Sequence, residues 1–130
     1  MGNKERSIRY QFPRDIKPDL AQAIICAARE SPARLDYVIV RKHSGKKHLG
    51  RCFPDIRTIV INLDAIKRQH RKRKKQDIPH PERSMVLQTA LHEAYHLGDK
   101  KKHHKKREKK ADKWARKKAK QLTGTCLKDL

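Results

Sequence analysis

The stretch His92-Glu93-Ala94-Tyr95-His96 constrains this chain more than any other. Histidines at i and i+4 lie one above the other only if the segment is helical. The flanking residues predict that helix, from Ser84 to Leu97. Ser84 is a suitable N-cap, Pro79 and Pro81 stop a helix arriving from upstream, and Gly98 suits termination. A helical wheel gathers Val86, Leu87, Ala90, Leu91, Ala94 and Leu97 on one apolar arc. His92 and His96 fall on the other side, with Gln88 and Thr89. Two imidazoles so placed can share one tetrahedral zinc ion, and Glu93 stands beside it without having to ligate. A carboxylate there can take the proton of a metal-bound water, and these parts are the core of a metallopeptidase. The bland reading is chance, since the chain has eight histidines.

A zinc hydrolase needs a third protein ligand and an open position for water. The sequence predicts a second helix from Lys105 to Leu122. Glu108, Ala111, Asp112, Ala115, Ala119 and Leu122 share one of its faces, with Trp114 at the edge and lysines opposite. Acids rarely sit on an apolar face unless they are paired or bind metal. Glu108 is therefore the candidate third ligand. Asp112, one turn on, is placed to hydrogen-bond a ligand histidine and fix its tautomer. The alternative is that both acids pair with nearby lysines on a solvated surface. His103 and Cys52 are minor competitors as metal ligands, and either would close the site as a structural one.

Leu91-His-Glu-x-x-His96-x-Gly98, followed by Glu108-x-x-Ala111-Asp112-x-Trp114-Ala115, resembles the gluzincin pattern, and within it the ImmA/IrrE family of small zinc metallopeptidases. The resemblance covers about Met85 to Ala115. It implies zinc ligands at His92, His96 and Glu108, a general base at Glu93, and a zincin-like domain in which the strand nearest the metal lines up an extended substrate. It also implies a protease acting on a DNA-bound repressor. The chain departs from the family in two ways: the spacer between the helices is short and crowded with lysine and histidine, and aromatic residues are few. The metzincin pattern fits worse, because Asp99 and Lys102 stand where it needs glycine and histidine.

With 130 residues, the chain is long enough for one domain of modest core, and we read residues 1–130 as a single unit. Its net charge of +21 will draw it to polyanions at low salt. Two basic runs, near 67–75 and 100–110, read as loops or nucleic-acid contacts. Arg71, Lys72, Arg73 and Lys74 are the candidate phosphate-binding residues. No aromatic residue interleaves the runs, so base stacking is not indicated. Neither a helix-turn-helix, a cysteine-rich zinc finger nor a repeat is recognisable. Cys26, Cys52 and Cys126 form no Cys-x-x-Cys pair, and their spacing argues for thiols in a reducing compartment. Cys26 is expected in the core. The absence of an apolar span or signal peptide pattern leads us to expect a soluble, cytoplasmic protein.

Along the chain, Ile8 to Phe12 reads as part of an extended arm. Pro18 opens a helix with Leu20, Ala23, Ile24, Ala27 and Ala28 inward, which stops near Ser31-Pro32. Tyr37 to Val40 predicts a strand buried on both faces. A weaker strand follows at His48 to Phe53, and a third from Arg57 to Leu63, interrupted by Asn62. That third strand is the candidate to pair with a peptide substrate through its edge. The expected fold is α+β, a small antiparallel or mixed sheet packed with an active-site helix and a glutamate-bearing helix. The expected function is a zinc-dependent endopeptidase, with Tyr37, Tyr95 and the basic residues all open as oxyanion partners. The alternative is a non-catalytic, basic nucleic-acid-binding protein whose metal site is structural or vestigial.

Overall fold

The computed structural model describes residues 7–72, 81–98 and 104–124. The fold is α+β: a four-stranded mixed sheet packed against four helices. Chain order is β1 (Arg9–Gln11), α1 (Pro18–Arg29), β2 (Tyr37–Arg41), β3 (Gly50–Phe53), a short 3₁₀ turn at Pro54–Ile56, β4 (Thr58–Asn62), α2 (Leu63–Lys72), α3 (Pro81–Leu97) and α4 (His104–Gly124). In space the strands run β1-β2-β4-β3. The first three in that order are parallel, and β3 is antiparallel to β4. The extended arm is thus a strand, paired with β2 and joined to it through α1. Its connection is the βαβ type that parallel neighbours require.

Both β2 and β4 are interior strands, and the more deeply buried is β4. All five of its residues are buried, whereas β2 alternates, with Tyr37 and Arg41 exposed. β4 is paired with β2 over all five residues and with β3 over four, whereas β1 pairs with β2 over Tyr37–Ile39 only, so the burial expected on both faces of β2 is found in β4. Val38 and Val40 align with Ile59 and Ile61, and Cys52 and Gly50 align with the same two isoleucines from the other side. That row faces the core, where it meets Ile24, Ala27, Leu87 and Leu91. Being interior, β4 has no edge left for a peptide. The strand with an unpaired edge on this side of the sheet is β3.

Pro81 begins α3 three residues before the predicted cap. Proline is tolerated at a helix start because the N–H it lacks would have no intrahelical partner there. Ser84 consequently lies within the first turn. Every member of the predicted apolar arc of α3 is buried. The helix ends at Leu97, where the Gly98 N–H bonds to the Tyr95 carbonyl at 3.2 Å. α4 buries Ala111, Ala115, Ala119 and Leu122 against the rest of the molecule, mostly α3. The first basic run is helical as far as Lys72, where a loop was expected, and the second is helical from His104 onwards. Cys26 is 2% exposed in the core, as expected, but it is disulfide-bonded and not a free thiol. No helix among the described residues is long and apolar enough to cross a membrane.

Candidate metal centre

α3 and α4 pack side by side, and the polar face of α3 meets α4 at one point. His92 Nε2 lies 3.1 Å from His96 Nε2 and 2.8 Å from Glu108 Oε1. His96 Nε2 lies 2.9 Å from Glu108 Oε2. The three side chains each offer one ligand atom within a 4.8 Å cluster. Tetrahedral coordination at about 2.0–2.2 Å puts donors roughly 3.3 Å apart. The three donors therefore surround a point with nearly the room that zinc needs. Among the described residues no fourth histidine, cysteine or carboxylate joins the group.

The hydrogen-bonding pattern is compatible with a cation at this point. His92 Nδ1 stands 2.9 Å from Asp112 Oδ1, and an ionised carboxylate can only accept. His92 must therefore donate from Nδ1. In the neutral ring this leaves the Nε2 lone pair pointing at Glu108, 2.8 Å away, where another lone pair waits. Only a proton or a metal ion between them removes the repulsion. This is the tautomer that a metal-ligating histidine adopts when a carboxylate holds its other nitrogen.

The acids are far more open than an apolar-face reading predicts. The side chains of Glu108 and Asp112 are 53% and 59% exposed, against 18% and 17% for His92 and His96. They stand at the rim of the α3–α4 seam, one turn apart. The alanines beneath them are too short to cover them. Asp112 does meet His92, and among the described residues it forms no salt bridge to a lysine.

Glu93 occupies the opposite situation. It lines the clefts on both sides of the cluster, and burial raises its carboxyl to about 7. His92 opposes that rise, the Glu108 charge adds to it, and Arg51 opposes it. A carboxyl poised near neutrality is suited to moving a proton. One cleft, of about 340 Å³, runs between Met85, Gln88, Thr89 and Arg116. The other, of about 570 Å³, opens between β3 and the cluster, lined by His48, Arg51, Cys52, Pro54 and Arg107. Cys52 is a free thiol in that wall, pushed up to about 12 by burial and by the Glu93 charge.

Sequence reasoning missed Gly50. A Cβ there would sit 2.9 Å from the Val60 carbonyl oxygen, 3.0 Å from Glu93 Cγ and 3.1 Å from Thr89 Cγ2. Its bareness lets β3 lie directly on the helix turn that carries Glu93. The available signal was a glycine inside a strand pattern, which marks close backbone approach. Asn62 holds the same region. Its amide donates to the His48 carbonyl at 3.0 Å, and its backbone N–H donates to Leu49 at 2.8 Å, fixing the entry to β3.

Of the other residues singled out, Tyr95 packs against Trp114 with ring centroids 5.5 Å apart and planes tilted by 43°, and Tyr37 sits half-exposed on β2. Neither lines the clefts. Arg71 is exposed near the end of α2 and Lys72 closes that helix, while Arg73, Lys74 and His103 lie outside the described residues. Compared with known proteins, the chain matches no family model, no curated protein and no solved structure.

Proposed function

We propose that this protein is a zinc-dependent endopeptidase of the gluzincin type, as the resemblance to the ImmA/IrrE family implies. The observation that carries the proposal is the convergence of His92, His96 and Glu108 on one point, with the largely buried carboxyl of Glu93 lining the clefts beside it. When bound, zinc would supply Lewis acidity toward a scissile carbonyl and toward water. His92, His96 and Glu108 would hold it, and Asp112 keeps the His92 ring in the required tautomer. Glu93 accepts the proton of the attacking water and returns it to the leaving amine. The unpaired edge of β3 offers backbone groups to an extended peptide beside the cluster.

Metal content and cleavage of an unstructured protein substrate test this together. About one zinc per chain is expected, lost in His92→Ala and His96→Ala, with peptide-bond cleavage by the zinc-loaded protein. A protein that takes up no zinc after metal-replete purification would sink the reading. The net charge of +21 supports a second reading, a basic nucleic-acid-binding protein with a structural metal. In that case zinc binds but Glu93→Gln changes nothing measurable. A hydrolase that works on nucleic-acid-associated proteins unites the two.

A further inference from the structure

We infer that the outer face of α4 is a docking surface for the phosphate backbone of duplex nucleic acid. α4 carries two acids between Arg107 and Thr123, Glu108 and Asp112, and the metal cluster engages both. What remains opposite the buried alanines is an arc of cations: Lys109, Lys110, Lys113, Arg116, Lys117 and Lys120. All six are exposed, and none has an ion-pair partner among the described residues. At 1.5 Å per residue, they span about 17 Å of helix, roughly one charge per 3 Å. Each strand of a duplex presents one negative charge per about 3.4 Å of its axis, so the stripe meets the charge density of one strand with opposite sign. The first basic run is a poorer candidate within the described residues. Arg68 of α2 is tied to Asp64 and to the Lys46 carbonyl.

The occupant is a nucleic acid and not a lipid surface. A membrane-lying helix needs its apolar side turned toward the acyl chains, and the apolar side of α4 is committed to the core. With no aromatic residue on the arc, binding reads phosphates without sequence preference. Arg116 belongs to the arc and also lines the cleft beside His92 and Glu108, so a docked duplex runs past the mouth of the metal centre. The inference stands whether or not the centre hydrolyses peptides.

Anisotropy of a short labelled duplex DNA of arbitrary sequence, titrated across salt concentrations, tests the assignment. The variant Lys109→Gln/Lys113→Gln/Lys117→Gln/Lys120→Gln is compared with Lys46→Gln/Lys47→Gln/Lys67→Gln/Arg71→Gln, which removes as much charge elsewhere. Each lost phosphate contact flattens the log–log salt slope by about 0.9, so the α4 variant should lose roughly 3–4 units and the comparison variant much less. Equal losses in the two would overturn the inference. So would no binding by the wild type at low salt, or tighter binding to phosphatidylserine vesicles than to the duplex. A measurement on the unaltered protein guards against a misfolded variant: lysine acetylation with and without duplex should show Lys109, Lys113, Lys117 and Lys120 protected. Protection confined to other lysines overturns the assignment.

Discussion

The two helices that meet at the metal cluster are built in opposite ways. α3 is wrapped by α1, α2, α4 and the β3–β4 edge of the sheet, and it contributes two histidines whose side chains are more than four-fifths covered. α4 docks through alanines, one leucine and the edge of Trp114, and offers two carboxylates that are more than half exposed. Alanine burial removes little apolar surface from water, so α4 is held weakly for a 21-residue helix. The contrast teaches that the cluster is a rigid half meeting an adjustable half. A bound cation then acts on folding as well as on chemistry, because it ties α4 to α3.

The largest effect is expected on the rigid side. Glu93→Gln keeps the fold and the zinc, because the carboxyl does not ligate, yet removes the proton acceptor. General-base loss costs typically about 10²- to 10⁴-fold in rate. Initial rates and zinc stoichiometry on the same preparation check it. Loss of zinc with Glu93→Gln and retention with Glu108→Ala would reverse the assigned roles.

The adjustable side should fail differently. Glu108→Ala should weaken zinc binding by more than the roughly 100-fold upper range for an outer hydrogen-bonding partner, because a ligand is lost outright. Stripping zinc from the wild type with a chelator should expose α4 to hydrogen exchange while Val86 to Ala94 stay protected. Local openings of this kind are the normal expectation where few apolar contacts hold an element. If both helices lose protection together at the same chelator concentration, the division into rigid and adjustable halves is wrong.

Asp112 tests whether an exposed residue can still shape the buried half. It holds His92 by one 2.9 Å contact. Asp112→Ala should cost about 10- to 100-fold in zinc affinity or activity, the usual range for such partners. A nearly silent substitution would return it to the class of solvated surface charges, worth about 0–1 kcal/mol.

How much of this was legible in the sequence differs between the same two regions. The buried arc of α3 followed from its 3.6-residue period, and so did the alanine face of α4. The spacing also brought Asp112 and Glu108 to the histidines. Their exposure was not legible: a wheel gives direction but not depth, and small alanines leave the rim open. The place of β4 between β2 and β3 could not be read, because strand pairing is decided by partners distant in sequence. β2 was expected to be buried on both faces because of its β-branched run, and it is β4 that is buried along its whole length. Gly50 escaped notice, although it fell within the predicted strand from His48 to Phe53, because the helix turn it makes room for is distant in sequence. The Pro81 start of α3 was misread because proline both ends a preceding helix and opens a new one.

Gly50 supplies the finest test, since it touches the rigid half without touching the metal ligands. A methyl group there would press on the Val60 carbonyl and on Glu93 Cγ, and the side chain is the softer of the two. Overpacking of this kind costs about 1–3 kcal/mol, so Gly50→Ala should lower the melting temperature by several degrees. Glu93 would yield by swinging toward the open cleft. Its carboxyl is held up to about 7 first by burial, so greater exposure lowers that value toward the ordinary carboxylate range. A base works in its ionised form, which exists above its pKa. The acid limb of the kcat/KM profile should therefore move to lower pH in Gly50→Ala, with less than about a tenfold change at the optimum. Zinc affinity should stay near that of the wild type, because His92, His96 and Glu108 are untouched. A profile whose acid limb stays in place, or moves to higher pH, would mean that β3 does not set the environment of Glu93. An equal loss of zinc would mean that the cluster is less sheltered from β3 than its packing implies.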